Sequence, residues 1–444
     1  MLNHEPTISV GIYEGRTQAR VVLAGLFLIN DSASLQGEIR VEAASNQLVL
    51  FEASGKEIAR GGEISCVPIS NDAFTLRDVT IGVKFHWERK EDQTFEGQLR
   101  LLRRDDGTIT AINDISVEQY LKSVISSEMS AAAPMELLKA HAITSRSWLV
   151  AMLERQKKFK NIDTPSRRSR ETADEIIRWY DREDHRDFDV CADDHCQRYQ
   201  GVSKIISPAA AQAVDDTRGV FLVYNNEICD ARFSKSCGGI SEAFENAWED
   251  IHVPYLQPIS DAPIEHSQIT NEPQAEQWIF SSPAAYCNTT DGNVLRQILP
   301  SFDQETTEFF RWKLEYRREE LEEIIAEKSG MNFGTLLDMI PLQRGHSGRI
   351  IKLKIVGSEK SAVVGKELEI RRWLSKSHLY SSAFVVRAER DEKGVPTKFI
   401  LHGAGWGHGV GLCQIGAAMM ATQGFKAEEI VKHYFRFAEL KQLY

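Results

Sequence analysis

The sequence has no apolar run long enough to cross a bilayer. Its longest, residues 21–29, is less than half of the ~20 residues that a membrane helix needs. Residues 1–15 are polar and acidic, without the charged-then-apolar order of an export signal. Basic charge is not in excess either. Lys and Arg total 53 against 64 Asp and Glu, a net charge of −11, which argues against a general nucleic-acid binder with its basic footprint. Cysteine is scarce and scattered: seven in 444 residues, an odd number that does not suit a disulfide framework. Only Cys191 and Cys196 lie close together, beside histidines, and that grouping favours a metal.

The segment around which the chain is organised is DISVEQYLKSVISSEMSAAAPMELLKAHAITSRSWLVAMLER, residues 114–155. It reads as two helices with a short break. Asp114 or Ser116 suits the first cap, and Pro134 with Glu136 suits the opening of the second helix. Tyr120, Leu121, Val124 and Ile125 make an inward stripe, and one turn further on that stripe stands Glu128. A carboxyl shielded in this way is the setting from which enzymes make a general acid. The alternative is a glutamate that only ends the helix and faces water.

Residues 1–112 are β-rich, with alternating or β-branched runs at 8–13, 19–29, 38–51 and 85–102. The basic stretch 155–170 reads as a solvated, mobile loop, with contact to an anionic polymer as the alternative, and 171–180 as a short helix. The segment HRDFDVCADDHCQRYQG then places His185, Cys191, His195 and Cys196 within a dozen residues. Two imidazoles and two thiols can close a tetrahedral zinc site, although the spacing is not a zinc-finger pattern. A buried thiol pair beside surface histidines fits the spacing equally well. Strands at 220–224 and 227–233 form a hairpin about Asn225-Asn226 and run into SKSCGG, whose paired glycines allow a tight turn against a ligand. Residues 262–346 read as a charged helical insertion, with strands resuming at 350–356, 361–370 and 384–388. Last comes HGAGWGHGVGLCQIGAAMM, a glycine-rich loop that carries Trp406, His408 and Gln414 into a helix. It lacks the lysine of a phosphate-binding loop. The fold class is therefore α+β: a β-rich N-terminal domain (1–112) joined to a mixed α/β catalytic core (113–444) that contains the helical insertion.

YLKSVISSEM, LLKAHAITSRSW, TRGVFLVY, SKSCGG with AWED, and WGHGVGLCQIGA, in this order, resemble the SpoIID/LytB family of peptidoglycan lytic transglycosylases. The resemblance covers about three quarters of the chain. It implies cleavage of the β-1,4 bond between N-acetylmuramic acid and N-acetylglucosamine with 1,6-anhydro ring formation, and Glu128 as the single catalytic acid and base. It also implies a structural zinc on His185, Cys191, His195 and Cys196 that the chemistry itself does not require. Arg146, Ser236, Cys237, His408 and Gln414 are the expected substrate-binding residues. The expected partners are glycan strands freed of stem peptides, and an amidase. The resemblance places the protein at the cell envelope, in tension with the missing export signal. Two other classes stay open: a glycan-binding amidase enhancer that cuts nothing, and a zinc hydrolase.

Overall fold

The computed structural model describes residues 2–44, 46–82, 88–130, 132–159, 169–179, 185–193, 195–205, 208–300 and 304–444. Ten consecutive strands, from Thr7–Arg16 to Ile109–Ser116, build one large, mostly antiparallel sheet. Period-two burial explains it: in Gln18–Ile29 the side chains of Ala19, Val21, Leu23, Phe27 and Ile29 are buried on one face. Val190–Cys191 adds to this sheet parallel to the first strand, pairing Val10 with Val190 and Gly11 with Cys191. The loop bearing the histidines and thiols is thereby tied to the N-terminal layer.

The last strand of the sheet runs directly into helix α1 (Val117–Glu128), which Ser116 caps by accepting the Gln119 N–H. Tyr120, Leu121, Val124 and Ile125 are fully buried, as the stripe predicts. Helix α2 (Met135–Phe159) lies inside the protein, so even its polar residues His141, Thr144, Ser145, Arg146 and Ser147 are buried. Each needs an internal partner. Thr144 and Ser147 bond back to the carbonyls of Ala140 and Ile143. Helix α3 (Pro208–Asp216) packs on this pair. The Asn225-Asn226 hairpin turn is present, with both residues at positive φ (49° and 63°).

Residues 262–346 depart from the helical expectation. Helices α4 (Glu272–Phe280), α5 (Gly292–Ile298) and α6 (Arg318–Ser329) are joined by strands Arg311–Arg317 and Leu336–Arg344. The first of these pairs with Pro396–Ala404 and the second with Ile350–Gly357. Trp312, Leu314 and Tyr316 alternate with charged residues, a period of two that the surrounding acidic helix pattern hides. Residues 171–179 are likewise not helical, and position 180 lies outside the described residues: Ser169–Glu171 and Glu175–Arg178 pair as strands. The expected strand 361–370 ends at Gly365 and gives way to α7 (Glu367–Trp373). Together these elements enclose a second apolar core around Trp312, Leu321, Trp373 and Leu401. The basic positions 160–168 and Asp194 lie outside the described residues.

The two halves meet at the glycine loop. Gly405, Gly407, Gly409 and Gly411 all take positive φ (75°, 99°, 75° and 74°), a sequence of turns open to few other residues. Leu412–Cys413 pairs in parallel with Phe233–Ser234, and Ser236 and Trp406 exchange backbone hydrogen bonds at 2.9 and 2.7 Å. Fully buried Arg349 donates to the carbonyls of Cys237 and Gly407, pinning the two turns together. Helices α8 (Gln414–Thr422) and α9 (Ala427–Tyr434) complete the packing on α2. Among the described residues no helix is long and apolar enough to cross a membrane.

Candidate active site

An open cleft of about 790 Å³ lies at this junction, in the upper part of the ~300–1,000 Å³ range of small-ligand sites. Residues at 128–148, 195–198, 232–235 and 406–414 supply part of its lining, and residues 305–316 and 371–380 the rest. Glu128, the last residue of α1, is half-buried on the wall. It continues the apolar face of the helix by one turn, which carries its carboxylate out of the core where the helix ends. Oε1 accepts the backbone N–H of Arg198 at 3.2 Å. That loop is itself fastened to α1: Gln200 N–H donates to Ser123 Oγ, which donates to the Gly201 carbonyl. Tyr199 also stacks on Tyr120 at 5.0 Å.

Immediately before Arg198 come the four predicted metal ligands, all with ligand atoms within 4.8 Å of one another. His185 Nε2 lies 3.3 Å from Cys196 Sγ, and His195 Nδ1 lies 3.4 Å from Cys196 Sγ and 3.9 Å from Cys191 Sγ. Such separations are close to the edges of a tetrahedron built on bonds of ~2.0–2.3 Å. The neighbouring Cys196 thiol, then His185 and His195, hold the Cys191 thiol well below the usual range against the opposing effect of burial. The donor set fits zinc. His195 and Cys196 also face the cleft.

Aromatic side chains and cations dominate the rest of the cleft. Trp406 and Tyr380 stack at 3.8 Å with 20° between their planes, and Phe309 lies 4.9 Å from Trp406. Arg232 lies 4.1 Å above Trp248 and pairs with Asp230 at 2.8 Å. Arg198, Lys235 and Arg371 add further positive charge, and Glu305 is the second carboxylate in the lining among the described residues. His408 reaches the cleft edge-on to Trp248. Dense packing, then the charges of Arg232, Arg371 and Arg349, push its pKa well below the ordinary imidazole value. The ring is therefore neutral, and because Nδ1 accepts the Val410 N–H at 3.0 Å its proton sits on Nε2. Gln414 lies 3.0 Å from His141 Nε2, whose pKa burial, with the charge of Lys235, lowers to about 3.

Three residues expected to bind substrate do not reach the cleft. Arg146 is completely buried, because α2 is interior on every side from 140 to 150. Its Nε and Nη2 bond both oxygens of Glu118 at 2.9 and 2.7 Å, and its other donors reach the Val220 and Val214 carbonyls. Ser236 is 0% exposed, turned inward by its backbone pairing with Trp406. Cys237 is 2% exposed and packs against other thiols. Conversely, Arg232, Lys235, Trp248 and Tyr380 line the cleft although no sequence argument selected them. Lys235 stands inside the SKSCGG motif, where it could have been found. Tyr380 follows an unremarkable SKSHL and gave no signal.

Residues 105–224 match the SpoIID family, described as Stage II sporulation protein, and residues 242–411 match a domain of unknown function (DUF8618). An uncharacterized protein of Brachyspira hyodysenteriae is 26% identical over 371 residues, 84% of this chain and 75% of that protein. Stage II sporulation protein D of Bacillus amyloliquefaciens is 23% identical over 335 residues, 75% of this chain and 76% of its own length. The amidase enhancer of Bacillus subtilis is 24% identical over 243 residues, 50% of this chain but 31% of its own length.

Proposed function

The chain carries a SpoIID-family domain, and on that premise we propose that it is a peptidoglycan lytic transglycosylase with Glu128 as its single acid and base. One observation carries the reading: a half-buried carboxylate at the end of a core helix faces an open cleft lined by aromatic faces and cations. In the reaction, protonated Glu128 gives its proton to the glycosidic oxygen as the muramic C1–O bond breaks. The ionised carboxylate, steadied by the Arg198 N–H, then takes the proton of the muramic C6 hydroxyl. That oxygen closes on C1, leaving a 1,6-anhydro ring and regenerating the acid, with no water consumed. The C6 hydroxyl is already tethered to the same sugar, which lets one carboxyl do work for which hydrolases use two. The stacked Trp406 and Tyr380 offer a platform for sugar faces, and Arg232, Lys235 and Arg371 suit the lactyl carboxylates of the strand. His408, whose ring bonds the Phe233 backbone, holds Trp248 in place edge-on at the cleft wall.

Zinc, held by His185, Cys191, His195 and Cys196, would supply shape, since four protein ligands leave no open position for a reacting water. These residues sit just ahead of the N–H that bonds Glu128, so their part is to fix that loop.

The test is digestion of purified glycan strands stripped of stem peptides, with mass spectrometry of the products. Anhydro ends lie one water below reducing ends. Glu128→Gln should lose about 10²–10⁴-fold in rate while its thermal midpoint is unchanged. Reducing-end products that vanish in Glu305→Gln would instead make the protein a two-carboxylate hydrolase. Folded protein that binds strands without cutting them would support the second reading, a glycan-binding partner of an amidase, which the likeness to an amidase enhancer favours.

A further inference from the structure

Behind the cleft, Cys237, Asp261, Cys287 and Cys413 converge from four separate segments, with ligand atoms within 4.8 Å of one another. Three are fully buried and Cys237 is 2% exposed. We propose that they form a second metal site, a mononuclear S₃O centre for zinc that locks the SKSCGG turn, the start of α8 and the segment 261–287 together.

The geometry is that of a tetrahedral site. Cys237 Sγ and Cys287 Sγ lie 3.8 Å apart, and two sulfurs on one ion at ~2.3 Å each stand about 3.8 Å from one another along a tetrahedral edge. The spread is too small for a polynuclear iron–sulfur core, which would have to fit between the sulfurs. Thiolates joined by one carboxylate in a tetrahedral arrangement suit zinc.

The surroundings are built for thiolates. Backbone N–H groups point at the sulfurs: Cys237 and Gly416 donate to Cys413 Sγ at 3.3 and 3.4 Å, and Gly239 donates to Cys237 Sγ at 3.4 Å. Cys413 is also the N-cap of α8, at the positive end of the helix dipole. Asp261 is oriented by Tyr434 Oη, which donates to Oδ1 at 2.6 Å, and by the Cys287 N–H, which donates to Oδ2 at 2.9 Å. Metal-binding carboxylates are characteristically held by outer partners of this kind. Gly416 makes the approach feasible, since a Cβ there would stand 2.4 Å from both Asp261 Oδ1 and Tyr434 Oη. Nearby Arg311 spends its donors on the carbonyls of Phe310, Gly238, Trp278 and Ser281. Its charge acts on Cys237 and Cys287. Three thiolates, a carboxylate and a divalent ion leave net negative charge for this half-buried cation to offset.

The experiment is elemental analysis of the full chain expressed with zinc, beside Cys191→Ser/Cys196→Ser, which leaves the inner donors intact. The expected result is one zinc per chain retained in that double variant and lost when Asp261→Asn or Cys287→Ser is added. Cobalt(II) in the retained site should show charge-transfer absorption of three thiolates. A metal-free Cys191→Ser/Cys196→Ser that is folded would overturn the proposal. So would thiol titration of the denatured, metal-free wild type that finds two fewer than its seven cysteines, since Cys237 and Cys287 would then be a disulfide. If the inner variants fail to fold, the stoichiometry of Cys191→Ser/Cys196→Ser decides alone. None of these readouts depends on glycan cleavage, so this site stands or falls apart from the proposed activity.

Discussion

The cleft wall and the layer directly behind it are made by the same motifs, yet they do opposite things with polar residues. On the wall, Glu128, Lys235 and His408 line the cleft, and Gln414 lines it with its amide held by buried His141. Behind it, Glu118 from the same helix as Glu128, Cys237 two residues from Lys235, and Cys413 next to Gln414 are enclosed. A chemistry-bearing letter in such a motif is therefore as often a brace as a contact. What separates the two is which side of its element each residue occupies.

That division is most sharply tested at Arg146. Arg146→Ala leaves buried Glu118 without its cation, with the Gly219 N–H and the Tyr444 hydroxyl as its remaining donors. It should cost about 3–5 kcal/mol of stability, the toll of breaking a buried pair, read from chemical denaturation. The protein that remains folded should keep its KM for glycan strands. A raised KM at unaltered stability would return Arg146 to the cleft. Next in size is the outer cluster. Stripping the proposed zinc, or Cys191→Ser, should slow the proposed cleavage about 10–100-fold, the usual penalty for loosening an outer-shell support, through the Arg198 N–H on Glu128. A rate left unchanged in metal-free, folded protein would show that the loop holds its shape unaided. The smallest effect concerns His141, fully buried behind Gln414. Its folded pKa of about 3 is depressed from 6.5, so its contribution is complete above pH 6.5 and is lost as pH falls toward 3. Between pH 7 and pH 5 the unfolded chain gains a proton there that the folded one refuses, about 2 kcal/mol. His141→Gln should flatten that part of the stability profile; an unaltered slope would mean that the imidazole is protonated where it lies.

Much of this was legible from the letters, and the failures share a cause. The cap at Ser116, the stripe ending at Glu128, the Asn-Asn hairpin and the glycine loop are local patterns, and each was found where expected. The strand Arg311–Arg317 was missed because its three apolar residues alternate within a run of charges that also suits a helix. The fate of Arg146 depended on Glu118, 28 residues earlier. That glutamate lies three and seven positions before Leu121 and Ile125, so the stripe itself held the clue. The inner thiol group was beyond reach, since Cys237 meets Cys287 across 50 residues and Cys413 across 176. The outer four fall within twelve positions and announced themselves.

The pairing of His141 with Gln414 spans 273 residues. At ribosomal speeds of ~5–20 residues per second, that distance is on the order of tens of seconds of synthesis. A half-made chain already holds Glu128 but lacks the opposite bank of the cleft. The cleft is therefore completed all at once and late, when the final third of the polypeptide closes over the first.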